Sequence, residues 1–225
     1  MNTLELKTCI ETVRKALVKM GYSYKKKSLH AAEQEHSRCA GRTQKWDKNT
    51  FGVKAENLVF LDENSVNTNF TRLYAHAPKN ERAVDSAPLN KPVTTTVLSS
   101  IRLDGMTVHT TYQGGTTSKR FYDYIKDILI PNLKKDDIVI MDNMRSHHTK
   151  MVTQLLDDEK ISYKILPSYS PDLNPIEKMW SKMNAFLRKQ KVRAVDKLSD
   201  AINDALKTIS VSDCIGWFYS CGYMQ

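Results

Sequence analysis

Three short acidic segments, two of which follow strand-like apolar runs, constrain this chain more than any other feature of its sequence. The run LVFL at 58–61 is followed by Asp62, and the run IVIM at 138–141 is followed by Asp142. Short apolar runs are typical of buried strands, and side chains at the ends of neighbouring strands face a common crevice. The third segment, SPDLNPIE, ends at Glu177. The sequence therefore predicts that these three carboxylates are candidate ligands of a hard divalent cation.

The spacing of the second and third segments adds a family resemblance. Asp142 and Glu177 are separated by 34 residues. This spacing, together with the SPDLNPIE segment, resembles the DDE transposases of the mariner superfamily, in particular their bacterial insertion-sequence branch. The resemblance extends over about residues 4–223. It implies a catalytic triad of Asp62, Asp142 and Glu177 that binds Mg²⁺, with Mn²⁺ as a substitute. The implied reaction is DNA strand cleavage at transposon ends followed by strand transfer into target DNA.

Other polar residues near the second carboxylate match positions that the same family fills with asparagine and histidine. They are Asn143, His147 and His148. The resemblance implies that they lie beside the metal ligands, and a structural or phosphate-contacting role is favoured over direct metal binding. Glu63 points to the opposite face from Asp62 if the first strand continues, because strand side chains alternate.

Glu177 also has a purely structural interpretation. If Asn174 is the N-cap of a helix and Pro175 its first residue, Glu177 stands where a capping-box glutamate bonds back to the backbone. The helix that follows has a separate apolar stripe. That stripe consists of Ile176, Trp180, Met183 and Leu187. Both roles of Glu177, metal ligand and cap, remain open at this point.

The remaining pattern predicts an α/β fold. Strands are predicted at 58–61, 72–77, 93–103, 106–112, 138–141 and 163–166, with a tight turn at Asp104-Gly105. Helices are predicted after Thr116–Ser118, through 151–156 and from Pro175. An antiparallel meander followed by alternating helices and strands is the order of a ribonuclease-H-like mixed sheet flanked by helices. The resemblance to the transposases implies the same fold.

The chain divides into two predicted domains. Residues 58–225 form the catalytic domain with its C-terminal helices. Residues 1–57 contain a helical pattern at 3–20 that ends at Gly21, and the stretch that follows is polar. We interpret them as the remnant of a helix-turn-helix region plus a basic helical linker, as expected of a truncated copy, of a second reading frame or of a fragment cut for study.

Charge favours DNA as the partner. The formal net charge is +9, from 34 basic and 25 acidic residues. Residues 178–193 contain six basic residues and no acidic residue. Although a basic helix is often only a solvated face, this one begins beside a candidate metal ligand, so phosphate contact is the favoured interpretation. The predicted DNA contacts are Lys25, Lys26, Lys27, Lys178, Lys182, Arg188, Lys189, Lys191 and Arg193.

Several function classes are disfavoured. The four cysteines show no zinc-site or disulfide-framework spacing, and no apolar run approaches the roughly 20 residues of a membrane span. We therefore expect a cytoplasmic, DNA-associated protein without a membrane or small-molecule partner, assembled on double-stranded DNA as a homodimer. The alternative function is a catalytically silent transposase remnant that binds DNA nonspecifically.

Overall fold

A computed structural model of the chain describes residues 9–22, 46, 52–88, 92–144, 147 and 149–224. The chain forms two compact units, Met1–Ala32 and Glu33–Gln225. In the first unit, helix α1 spans Ile10–Lys19 and lies within the helix predicted at 3–20. All described residues of that unit are exposed.

The second unit is built on a five-stranded mixed sheet. Its strands are β1 (Leu58–Asn67), β2 (Thr94–Ile101), β3 (Thr107–Gln113), β4 (Ile138–Met141) and β5 (Ser162–Ile165). Their order across the sheet is β3-β2-β1-β4-β5. The first three strands are antiparallel, and β4 and β5 are added in parallel beside β1. The predicted antiparallel meander followed by parallel strands is confirmed.

Five α-helices accompany the sheet within the described residues of this unit. They are α2 (Ser118–Tyr124), α3 (Lys150–Asp158), α4 (Ile176–Gln190), α5 (Leu198–Lys207) and α6 (Val211–Ser220). Helix α2 continues into a π-helical turn, Ile125–Leu129. It begins as the sequence predicts, because the side chain of Thr117 accepts a hydrogen bond from the backbone of Arg120. In the described part of the chain, no helix is long and apolar enough to cross a membrane.

Two apolar cores cover the two faces of the sheet, because β1 alternates its side chains between them. Phe60 belongs to the core that contains the apolar stripe of α4 together with residues of α5 and α6. Leu61 belongs to the other core, which contains residues of α2, the π-helical turn and α3. Trp46, within the predicted linker, is buried in the first core and donates a hydrogen bond to the hydroxyl of Tyr223 at 3.2 Å.

The strand predicted at 72–77 is wrong. Residues 68–88 contain turns and coil without a strand or helix, and Leu73 and Tyr74 are 70% and 82% exposed. Instead, β1 runs on to Asn67 and pairs with the whole of β2. The extension escaped prediction because its residues are mostly polar, and the cross-strand partner that stabilises it is distant in sequence.

Candidate active site

Two of the predicted carboxylates are brought together by strand pairing. Leu61 of β1 pairs with Met141 of β4, and these two strands are parallel. The next residues along the chain, Asp62 and Asp142, are therefore neighbours across the sheet. Neighbouring strands lie about 4.8 Å apart. Asp62 is not at a strand end as predicted, because β1 continues past it as an antiparallel partner of β2. The end of β4 at Met141 is as predicted.

The third carboxylate comes from the first turn of α4. Glu177 is exposed, and its backbone N–H donates to the carbonyl oxygen of Asn174 at 3.2 Å. The predicted capping box is wrong, because Pro175 rather than Asn174 occupies the N-cap position and makes no side-chain cap hydrogen bond. The Glu177 side chain is therefore not required to close the helix end.

All three carboxylates line one cleft. Its volume is about 390 Å³, and its walls come from the middle of β1, the residues that follow β4, the segment after β5 and the start of α4. The lining residues are Asp62, Asp142, Asn143, Met144, Leu166, Pro167, Ser168, Tyr169, Ser170, Pro171, Asn174 and Glu177. Within the described ranges, no three acidic, histidine or cysteine side chains stand close enough together to enclose an ion without adjustment.

The charges in the cleft repel one another. Burial of Asp62, which is 8% exposed, together with the negative charges of Glu177 and Asp142 raises the pKa of Asp62 to about 7. Although Glu177 is exposed, partial desolvation of its carboxyl group in the cleft and the charge of Asp142 also raise its pKa. A cluster of carboxylates with raised pKa values is what like charges in a partly desolvated site produce. A divalent cation would offset this repulsion, and carboxylate oxygens are the donors that Mg²⁺ prefers.

Asp62 is held by a tryptophan whose place in the sequence predicts only a core position. The indole N–H of Trp180 donates to Oδ2 of Asp62 at 3.1 Å. This hydrogen bond stabilises the charged carboxylate and so opposes the rise in its pKa. The sequence offered one chemical clue to this contact, because the N–H of a buried tryptophan needs a hydrogen-bond acceptor. The apolar stripe of α4 gave no indication of which acceptor that was.

Asp142 contacts His147, which is fully buried. Its Nδ1 lies 2.5 Å from Oδ1 of Asp142, and its Nε2 lies 3.1 Å from Oε2 of Glu63. Burial lowers the pKa of His147, but the two carboxylates outweigh burial and raise that pKa to about 9. Oδ1 of Asp142 also accepts a hydrogen bond from the backbone N–H of Met144 at 3.0 Å.

The other predicted neighbours of the triad have different placements. Asn143 is exposed on the cleft wall, and its side-chain N–H donates to Oγ of Ser168 at 2.5 Å. His148 lies outside the described residues. Asn174 lines the cleft as a buried residue whose side-chain oxygen has no hydrogen-bond partner in the described part of the chain.

We expect Trp180→Phe to weaken binding of divalent cations by about 10- to 100-fold, because partners that orient metal ligands typically contribute that much. Phenylalanine keeps an aromatic ring in the core but removes the N–H that orients Asp62. Titration of the protein with Mn²⁺, followed by the resonance signal of free Mn²⁺, measures the change.

The matched control is Trp217→Phe, which makes the same chemical change at a half-buried position of α6 away from the cleft. Equal Mn²⁺ affinities in the parent and both variants would show that the Trp180 hydrogen bond does not serve the metal site.

The basic residues at the start of α4 make contacts within the protein. Nζ of Lys182 donates to Oδ2 of Asp213 at 2.6 Å and to the carbonyl oxygen of Thr208 at 2.9 Å. Nζ of Lys178 donates to Oγ of Ser220. These contacts fasten α4 to α6. Replacing either lysine therefore removes a packing contact together with the charge that was predicted to bind DNA.

The basic residues in the last turn of α4 and just after it contact the segment 68–88. Nζ of Lys191 donates to Oδ2 of Asp85 at 2.6 Å, and Nη1 of Arg193 donates to the carbonyl oxygens of Thr68 and Phe70 at 2.6 and 2.9 Å. The guanidinium of Arg188 lies over the ring of Phe70. Lys189 is exposed to solvent. Lys25, Lys26 and Lys27 lie outside the described residues, so DNA contact by all of these residues stays a prediction.

The family follows from sequence comparison. The chain belongs to the DDE superfamily of endonucleases, whose family model matches residues 57–199, and this range contains all three cleft carboxylates. No protein of curated function matches this sequence.

Solved structures of the Mos1 mariner transposase share the fold. The Mos1 strand transfer complex matches with a TM-score of 0.74 and 15% identity over 94% of this chain and 66% of the Mos1 chain. The mariner Mos1 paired end complex with Mg matches with a TM-score of 0.74 and 15% identity, over 94% of this chain and 67% of the Mos1 chain. The Mos1 catalytic domain matches with a TM-score of 0.60 and 14% identity, over 88% of this chain and 92% of the catalytic-domain chain. The predicted ribonuclease-H-like fold is thereby confirmed, and the chain spans about two thirds of the Mos1 chain in the two complexes.

Proposed function

We propose that this protein is a DDE transposase of the mariner superfamily that cleaves DNA at transposon ends and transfers the cleaved strand into target DNA. The observation that carries the proposal is the convergence of Asp62, Asp142 and Glu177 on one cleft in a member of the DDE endonuclease family. The Mos1 structures with the same fold include a strand transfer complex and a paired end complex with Mg.

The donor set of the cleft fits Mg²⁺ or Mn²⁺. Three carboxylates supply hard oxygen ligands, and Mg²⁺ is commonly bound by a few carboxylates plus waters. Bound ions of this kind stabilise both the attacking and the leaving oxygens of a phosphodiester during in-line displacement. Asp62, Asp142 and Glu177 would hold the cofactor.

The chain's own residues prepare the site for that chemistry. The indole of Trp180 fixes one oxygen of Asp62, and His147 together with the Met144 backbone fixes one oxygen of Asp142. Glu177 is exposed at the start of a helix without a capping bond, so its side chain can move toward the other two carboxylates. The site thus combines two oriented carboxylates with one adjustable carboxylate.

The partner in this proposal is double-stranded DNA, both transposon ends and target, with the protein acting as a homodimer on it inside the cell. The net charge of +9 supports a polyanionic partner. We assign phosphate contact to the exposed Lys189 and to the other basic residues of 178–193, and we assign the segment 1–57 to DNA binding. The SPDLNPIE segment supports placement in the insertion-sequence branch.

Removing the metal tests the proposal. With supercoiled plasmid as substrate, the purified protein is expected to nick or join DNA in the presence of Mg²⁺ or Mn²⁺ and to lose that activity when a chelator is added. Gel electrophoresis of plasmid forms measures the reaction. Nicking that persists in chelator and in Asp62→Asn protein would overturn the assignment.

The same assay distinguishes an active transposase from the alternative, a catalytically silent remnant that only binds DNA. A protein that binds plasmid in a salt-sensitive manner but does not nick it with either metal would be a DNA-binding remnant rather than an active transposase. The three carboxylates are all present in the cleft, which supports the active enzyme.

A further inference from the structure

A buried polar group lies on the face of β1 opposite the catalytic cleft. Glu63 follows Asp62 directly, so its side chain points to the other side of the sheet, where it is only 9% exposed. His147 fills the space between Glu63 and Asp142, and its ring stacks on Phe121 with centroids 4.0 Å apart. The group therefore links β1 to the loop that follows β4.

Burying the carboxylate of Glu63 costs folding free energy. Burying a carboxylate requires compensation, and a buried ion pair is often no more stabilising than apolar residues of similar volume. One oxygen of Glu63, Oε1, is buried without a hydrogen-bond partner in the described part of the chain. Stability alone does not account for the pair, because apolar residues of similar volume in place of both partners are often equally stabilising.

The geometry explains what the charge can do. His147 has close neighbours on three sides: Phe121 stacks on its ring, and Glu63 and Asp142 are ion-pair partners at 3.1 Å from Nε2 and 2.5 Å from Nδ1. A ring fixed in plane and at one nitrogen directs its other nitrogen at a fixed point. That point is Oδ1 of Asp142, a carboxylate that follows a strand of only four residues.

We propose that Glu63 is a positioning residue that acts through His147 to hold the carboxylate of Asp142 in the orientation needed to bind the divalent cation. This inference rests on the proposed function, because it assumes that Asp142 is a metal ligand. Glu63 itself touches neither the cation nor DNA. Partners of this type, which orient a metal ligand without binding the metal, typically contribute 10- to 100-fold to metal affinity.

The test is Glu63→Gln, which keeps the shape of the side chain and removes its charge. We expect its Mn²⁺ affinity to fall at least about tenfold, measured from the signal of free Mn²⁺ without any DNA. In the plasmid assay, the Mn²⁺ concentration for half-maximal nicking rises by the same factor. The matched control is Glu159→Gln, an exposed residue at the end of α3 for which we expect parental values.

A double-mutant cycle tests the route through His147. If Glu63 acts only through the histidine, His147→Asn and the double variant Glu63→Gln/His147→Asn bind Mn²⁺ equally weakly, because interacting residues are not additive. Additive losses would overturn the route. His147→Asn also serves as the independent variant if Glu63→Gln does not fold, and parental Mn²⁺ affinity in His147→Asn would likewise overturn the proposal.

The outcomes distinguish this inference from the proposed function. Lower thermal stability of Glu63→Gln with parental Mn²⁺ affinity would make the pair a structural contact and overturn the positioning role, while nicking by the parent would still support the transposase. A parent that binds Mn²⁺ but does not nick DNA would refute the proposed activity. In that case, weaker Mn²⁺ binding by Glu63→Gln would still support positioning.

Discussion

Replacing Asp142 by asparagine is expected to lower metal-dependent DNA nicking by about a thousandfold or more. Metal ions stabilise the charge on reacting phosphoryl oxygens by several kcal/mol, and each 1.4 kcal/mol or so corresponds to a tenfold change in rate. Asparagine retains an oxygen that accepts the hydrogen bond of the Met144 backbone, but it lacks the charge that holds a hard cation. Initial rates of plasmid nicking at saturating Mg²⁺ measure the effect.

The control for this substitution is Asp136→Asn, which removes an exposed carboxylate shortly before the same strand. It is expected to nick at the parental rate. Circular dichroism of Asp142→Asn should show the parental helix content, because the two cores of the sheet do not include this side chain. An Asp142→Asn protein that retains a tenth or more of the parental rate would remove this residue from the catalytic set.

The second large effect is expected for Glu177→Gln, and it decides between the two roles that the sequence left open. We expect nicking to fall by about a thousandfold for the same electrostatic reason as at Asp142. Stability should hardly change, because Pro175 rather than a capping box starts the helix. A charge in the first turn is worth about 0.3–1 kcal/mol against the helix dipole. That corresponds to a melting temperature lower by about 4 °C at most for a chain of this size.

Glu177→Gln also removes the repulsion between Glu177 and Asp142, which is seen in the raised pKa of Glu177. This change raises the melting temperature and so opposes the loss at the helix end. The matched control is Asp172→Asn, an exposed carboxylate in the 3₁₀ turn before α4 that does not line the cleft. Melting temperature and nicking rate are measured on the same preparations. If Glu177→Gln nicks at the parental rate while Asp172→Asn does not, the third ligand is Asp172.

Much of the sheet and the three cleft residues were predictable because both depend on short-range patterns. Apolar runs of four residues identify 58–61 and 138–141 as buried strands, and a carboxylate directly after such a run is conspicuous. The position of Glu177 at the start of an amphipathic helix was equally visible. These features needed no knowledge of which strands pair.

The parts that could not be predicted depend on contacts between distant residues. The hydrogen bond from Trp180 to Asp62 joins residues 118 positions apart, and the contact of His147 with Glu63 crosses from one strand to a loop after another. Periodicity places an indole or an imidazole on a face without naming its partner. The basic residues of α4 illustrate the same limit, because a charge count cannot show that Lys182 is engaged by Asp213.

The parallel pairing of β1 with β4 has a consequence for how such a gene can change. Leu61 stands opposite Met141, and both carboxylates come one residue later. A single codon gained or lost within either apolar run would turn the following carboxylate to the far side of the sheet. The segment 68–88, which has no strand or helix, has no such alternation to keep. Reading-frame-preserving insertions should therefore accumulate in the segment and be purged from the two short strands, even though every acidic codon remains intact.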